Sequence, residues 1–235
     1  MPKLRYLRIG FDAPIYPSEI PYFRSAVIEK TERQSSLFHN HKSDTEVIYR
    51  YPLIQYKSLY KKASIVCLES GTDDIHYLLQ QRSLDFRIGS RQTEFAIEHI
   101  DLHYHQVQTW DTTFGYGIVD WLALNQTTHR RYRELAPDPA AQLDLLTSIL
   151  RGNILAFAKG INWWVEDKIQ VEITELRRVK TLPLGKHGQH VLTFSLRFRT
   201  NVSLPDFVGL GKRVSVGFGV VKRVYDKRQN QFNAI

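Results

Sequence analysis

Apolar and polar residues alternate from Leu4 to Phe11, LRYLRIGF, with the two-residue period of a strand that has one buried face. The period then lengthens. In SEIPYFRSAVIEKT, Ile20, Phe23 and Val27 fall at helical spacing. Pro21 is tolerable there because an N–H in the first turn of a helix has no intrahelical partner. YRYPLIQYK (Tyr49 to Lys57) and ASIVCLES (Ala63 to Ser70) are rich in β formers and are joined by the short connection SLYKK. GTDDIHYLLQQR predicts a second helix. Thr72 is its N-cap, Asp73 and Asp74 suit the positive end of its dipole, and Ile75, Leu78 and Leu79 form its buried stripe. EFAIEHIDLHYHQV closes this part as a long strand. The order β-α-β-β-α-β is the ferredoxin-like arrangement.

The second part begins in the same way. GIVDWLALN predicts a strand and TTHRRYREL a short helix. Asp138 then caps a long helix with Pro139 at its first position. Leu143, Leu146, Leu150, Ile154 and Phe157 follow at steps of three and four, and Gly160 ends it. KIQVEITELRRV and HVLTFSLRFRT are strands, as is GVVKRVY near the end. Where a second helix would complete the pattern, the chain reads SLPDFVGLGKRVSVGFG. The expected fold is therefore α+β. It has two tandem ferredoxin-like (RRM-like) halves, residues 1–110 and 111–235, the second with a glycine-rich loop in place of its last helix. No linker or low-complexity tract separates them, so the halves are expected to pack together. The polar tail DKRQNQFNAI is expected to fray.

Charge narrows the choice of partner. The 235 residues carry 32 Lys and Arg against 24 Asp and Glu, a net charge of +8. That excess favours a polyanion, nucleic acid before an acidic membrane surface. Cys67 is the only cysteine and sits in a buried-strand pattern, so an internal disulfide and a cysteine zinc site are both excluded. The first residues lack the apolar core of a signal peptide, and no run has the length of a membrane span. A cytoplasmic location without membrane contact is the expectation.

Residues 209–219 read GLGKRVSVGFG. The spacing fits neither a dinucleotide fingerprint nor a P-loop. What it offers is two Gly-x-Gly pairs, Gly209 with Gly211 and Gly217 with Gly219, around a basic pair, Lys212 and Arg213. Glycines let a backbone curl until successive N–H groups converge on an anion. A hairpin serving only chain reversal would read the same.

The G-L-G, five-residue, G-F-G pattern resembles the glycine-rich loop of the repeat-associated RNA-binding proteins of CRISPR systems. Within them it is most similar to the endoribonuclease that cuts repeat RNA, the sixth Cas protein, in the forms found in Bacteroidetes. LFHNH, YRYPLIQYK and RGNILAFAKGI carry the same resemblance. It implies a metal-independent endoribonuclease without a cofactor, whose partner is CRISPR repeat RNA and, after cleavage, a CRISPR effector complex. A ribose 2′-OH attacks the adjacent phosphate, leaving a 2′,3′-cyclic phosphate and a 5′-OH. Either monomer or homodimer is compatible.

Such a reaction needs a base, a cation at the phosphorane and a proton donor. The resemblance places the working histidine just after the first helix, where His39 and His41 lie two residues apart. Imidazole suits the role because it titrates near neutrality. Both remain candidates. On the following segment Tyr49, Tyr51, Gln55 and Lys57 alternate onto one face. Lys57 is the candidate phosphate cation, with Lys42 and Arg50 as substitutes, and Tyr51 or Tyr22 the candidate for orienting the substrate. Arg130 and Arg131, with Arg133, Arg177, Arg178, Lys180, Arg197 and Arg199, would carry the RNA backbone, and Trp163 and Trp164 are candidates for base stacking. The literal string His39-Asn40-His41 is not the metal nuclease motif of that name, whose residues are dispersed over a different fold. Two alternatives stay open. One is the same fold binding RNA without cutting it. The other is a metal-dependent enzyme using His99, His103 and His105, which share a strand face with Asp101.

Overall fold

A computed structural model describes residues 3–31, 37, 51–184 and 189–225. The opening alternation forms β1 (Lys3–Pro14), and the first helical pattern forms α1 (Ile20–Lys30) with Pro21 in its first turn. β2 (Ile54–Leu59), β3 (Lys62–Leu68) and β6 (Ile97–Gln106) join β1 in an antiparallel sheet of order β2-β3-β1-β6. Ile20, Phe23, Ala26 and Val27 of α1 are buried. Phe23 sits at the centre of a ring cluster, edge-on to Tyr56 at 5.6 Å and to Phe86 at 5.8 Å. Such pairs add to the roughly 1.5–3 kcal/mol that burying each ring contributes. Cys67 is buried in β3.

Two expectations for this half needed correction. The helix expected after residue 71 is two single turns, α2 (Gly71–Asp74) and α3 (His76–Leu79), neither of which has a side-chain capping bond at its start. Thr72 is not the cap: its hydroxyl donates back to the Glu69 carbonyl at 2.7 Å. Ile75 and Leu78 are buried as expected, but Leu79 is exposed, because one turn has too little length for a full stripe. A hairpin, β4 (Asp85–Ile88) with β5 (Arg91–Glu94), follows where no strand was expected. Its inward residues, Phe86 and Ile88, close the α1 side of the core.

In the second half β7 (Thr109–Trp121) starts earlier than its pattern suggested, and α4 (Gln126–Glu134) follows. α5 (Pro139–Gly160) has the expected ends. The Asp138 carboxylate accepts from the Ala140 and Ala141 N–H groups at 3.0 and 3.1 Å. Leu146, Leu150, Ile154 and Phe157 form its buried stripe. β8 (Val171–Leu184), β9 (Gln189–Val202) and β10 (Val220–Arg223) complete a second antiparallel sheet of order β10-β7-β9-β8. In both sheets the last strand lies beside the first. The described residues thus form a mixed α/β fold of two domains, each with one four-stranded antiparallel sheet, with the two-stranded β4–β5 hairpin beside the first. Between β9 and β10 the chain crosses to the first sheet, and Tyr6 donates to the Asp206 carbonyl at 2.8 Å. No helix among the described residues is long and apolar enough to cross a membrane.

Candidate nucleic-acid interface

Residues 209–219 occupy the seam between the two sheets. Gly211, Gly217 and Gly219 have φ of 95°, 88° and 62°, and Arg213 has 53°. Space is as restrictive as torsion. A Cβ on Gly219 would stand 2.0 Å from the Leu210 carbonyl oxygen, and one on Gly211 2.7 Å from the Trp121 ring. Many of the backbone amides are already committed. Leu210 N–H donates to Gly219, Lys212 N–H to Leu122 and Gly219 N–H to Asp120. The N–H groups of Val216 and Phe218 donate to Arg213, and that of Gly217 to Val214. The N–H groups of Gly209, Gly217 and Gly219 are thus spent within the fold. These glycines let one strand of chain pass between two packed layers.

The underside of this turn rests on the strand face that alternation put together. Gln55 accepts from the Gly209 N–H at 3.0 Å and donates to the Tyr51 hydroxyl at 2.9 Å. Tyr51 in turn donates to the Gly209 carbonyl at 2.7 Å. Lys57 donates to the Val214 carbonyl at 3.3 Å and is completely enclosed. Removal from water disfavours the ammonium and lowers its pKa to about 7. The same desolvation raises the Tyr51 pKa, outweighing its hydrogen bonds. Tyr51 is further wedged against Gly160 and stands edge-on to Phe157 at 5.4 Å. These positions revise two expectations. Lys57 has no open face to offer a phosphate, and Tyr51 braces the seam. Tyr22, by contrast, is exposed.

The outer side is different. Lys212 and Arg213 are exposed, and Lys212 is steadied by donating to the Leu124 carbonyl at 2.7 Å. Partial burial lowers the Lys212 pKa. With His129 of α4 and His190 of β9 these two line an open cleft of about 650 Å³. His129 also faces a second depression, of about 610 Å³, with Arg130 and Arg133. Asn125 and Thr128 close the start of α4 reciprocally, each backbone N–H donating at 2.7 Å to the other's side chain. That cap fixes the start of α4, where His129 borders both depressions and Arg130 the second. A rim of two lysine or arginine side chains, two imidazoles and the α4 arginines suits a phosphodiester backbone.

The comparisons with known proteins agree along nearly the whole chain. The Cas6b N-terminal domain model matches residues 2–106, and the Cas6b C-terminal domain model matches residues 108–224. The chain belongs to the Cas6b family. A crystal structure of Cas6b superposes with a TM-score of 0.82 at 25% identity, over 95% of this chain and 100% of that one. A second, titled a CRISPR RNA processing endoribonuclease Cas6b, superposes with a TM-score of 0.69 at 22% identity, over the same shares. An uncharacterized protein of Methanocaldococcus jannaschii is 35% identical over 107 residues, 46% of this chain and 69% of that protein.

In this Cas6b-family chain the remaining expected residues scatter. His39, His41, Lys42, Tyr49 and Arg50 lie outside the described residues. Arg130 and Arg131 are exposed on α4, and Arg130 lines the second depression. The strand arginines are partly neutralised. Arg177 and Arg197 share Glu175 at 3.0 and 3.6 Å, and Arg178 meets Asp120 at 3.4 Å. Trp163 is buried, and Trp164 is exposed beside Glu166 and Asp167, an acidic setting unsuited to RNA. The β6 histidines do not converge: His105 turns to Ser203 at 3.2 Å, while His103 meets Asp101 at 3.0 Å. Among the described residues no three His, Cys, Asp or Glu side chains are placed to share a metal ion. Sequence reasoning missed His129, His190 and the bracing role of Gln55. The first two carry no local signal. Gln55 was on the right face but lacked a reason to be chosen.

Proposed function

We propose that this chain is an endoribonuclease that binds and cuts CRISPR repeat RNA, without a metal ion, by attack of a ribose 2′-oxygen on the neighbouring phosphorus. The P–O5′ bond breaks, a base takes the 2′-hydroxyl proton and an acid protonates the 5′-oxygen. The products are a 2′,3′-cyclic phosphate and a 5′-OH. His39 or His41 takes a proton-transfer role, and Lys42 or Arg50 takes the phosphate-cation role that enclosure denies Lys57. The halves, residues 1–110 and 111–235, are two ferredoxin-like units, the second carrying the 209–219 turn where its last helix would stand. The glycines act indirectly, by letting that turn present Lys212 and Arg213.

The observation that carries the reading is the family match together with the basic cleft on the outer side of the 209–219 turn. The RNA backbone lies along Lys212, Arg213, His129 and Arg130. An A-form stem is read there by shape and phosphates rather than by base edges. The test is incubation of the full chain with repeat RNA in EDTA, followed by analysis of the product ends. Cyclic phosphate and 5′-OH ends, lost in His39→Ala or His41→Ala, support the reading. RNA that is bound but left intact would favour the binding-only alternative, and cleavage abolished by EDTA would overturn metal independence.

A further inference from the structure

The cleft beside the 209–219 turn carries more than the cations a phosphodiester needs. It is formed by the segment from β7 into α4, the first turn of α4, the free end of the β8–β9 ladder and the turn itself. Lys212 and Arg213 stand on its rim, exposed. Its wall is aliphatic: Leu124, Leu184, Val191 and Leu192 line it, and each is only half-buried. A phosphate group would leave such side chains against water, at the ordinary hydrophobic cost. The flat face of a nucleobase would cover them.

Alongside the wall stand polar groups that the fold does not use. The Asn125 carboxamide is spent on the α4 cap. Its exposed neighbour Gln126 makes no side-chain hydrogen bond among the described residues, and neither do His129 and His190. All three line the cleft. A carboxamide offers an acceptor and N–H donors together, the combination that reads a base edge. The cleft holds about 650 Å³, within the roughly 300–1,000 Å³ usual for small-ligand sites. Aliphatic wall, unspent amide and cationic rim match the face of a base, its edge and the phosphate attached to it.

We infer that this cleft takes a single unstacked nucleobase of the RNA, with Gln126 reading its edge and Lys212 or Arg213 holding its phosphate. The inference rests on the RNA reading above and adds base selectivity at one nucleotide. Bases inside an A-form stem stay stacked, so the occupant is an unpaired nucleotide next to the stem.

The test is an abasic scan. Each unpaired position of the repeat RNA is made abasic in turn, with 2′-deoxyribose at the cut site so that the RNA is bound but not consumed. Affinity for the full chain is measured at several salt concentrations. One position should stand out, its abasic RNA binding wild type about tenfold more weakly, the usual scale of one base contact. Gln126→Ala with Leu184→Asn should bind intact RNA about tenfold more weakly and be indifferent to that position. The salt slope of this variant should match wild type, because no phosphate contact is removed. Neither residue belongs to the buried core, so its thermal unfolding should match as well. Gln126→Ala alone should already reduce the abasic penalty, and it carries the test by itself if the double variant unfolds. A penalty of equal size in variant and wild type overturns the inference, as does a scan in which no position stands out. Either result leaves RNA cleavage standing, whereas a wild-type chain that binds no repeat RNA overturns both.

Discussion

Lys57 and Lys212 approach the same eleven-residue turn from opposite sides, and their environments differ in nearly every respect. Lys57 lies beneath it, enclosed, its ammonium donating to a backbone carbonyl and meeting no carboxylate among the described residues. Lys212 lies on its outer side, tethered to a carbonyl by one hydrogen bond and open to a basic cleft. From sequence, Lys57 was the better candidate for phosphate, because it follows the histidine pair on a strand of the right face. Geometry reverses the order. A cation that meets a polyanion must keep an open approach. A cation sealed under a turn acts on that turn's position. The lesson extends to the glycines, whose value here is that Trp121, Leu122, Ile20 and Leu210 can pack against bare backbone.

The largest effect that sharpens this contrast is a pH dependence. The folded-state pKa of Lys57 is lowered to about 7 from an ordinary 10.5, so between those values the unfolded chain binds more protons than the folded one. Stability carried by this site is therefore least below pH 7 and rises as pH climbs toward 10.5. At about 1.4 kcal/mol per pKa unit the full swing is at most roughly 5 kcal/mol. Lys57→Met should remove the slope. Urea midpoints should favour the variant below neutrality and lose that advantage in alkali. Parallel curves for the two proteins would contradict an enclosed ammonium.

Gly219→Ala should come next. It forces a Cβ onto the Leu210 carbonyl at a left-handed φ, with an expected loss of roughly 2–4 kcal/mol in denaturant titration. An unchanged midpoint would mean the seam is loose. On the outer side, Lys212→Ala with Arg213→Ala should leave stability nearly unchanged but weaken RNA binding about tenfold. The double variant should also lower the slope of log affinity against log salt by about 1.4 if single-stranded RNA is bound there. The smallest effect is expected for Tyr51→Phe. Losing the hydroxyl that bridges Gln55 and Gly209 should cost about 1 kcal/mol in thermal unfolding, with cleavage retained.

Much of the frame was legible because it is local. The two-residue period of LRYLRIGF and the capped, three-and-four spacing after Asp138 each specify an element without reference to the rest of the chain. The β4–β5 hairpin was not legible, since DFRI and RQTE are short and mostly polar and depend on α1 for their cover. The helix after Gly71 failed for a related reason. Its propensity signals were sound, but the chain turns after a single turn at each end of Ile75. At the site, alternation correctly put Tyr51, Gln55 and Lys57 on one face. That the face would meet a turn more than 150 residues later is a tertiary fact with no local signature. His129 and His190 are brought to the cleft by the packing of α4 beside the β8–β9 ladder, and neither stands in a motif.

One measurement addresses both lysines at once: acetylation of amines by a water-soluble ester, read by mass spectrometry, with and without saturating repeat RNA. The expected result is a Lys212 that reacts in the free protein and is protected by RNA, beside a Lys57 that stays unmodified in both states. A Lys212 modified equally with and without RNA, or a Lys57 that reacts freely and is then shielded, would contradict the assignment of the outer rim to the nucleic acid and the underside to the fold.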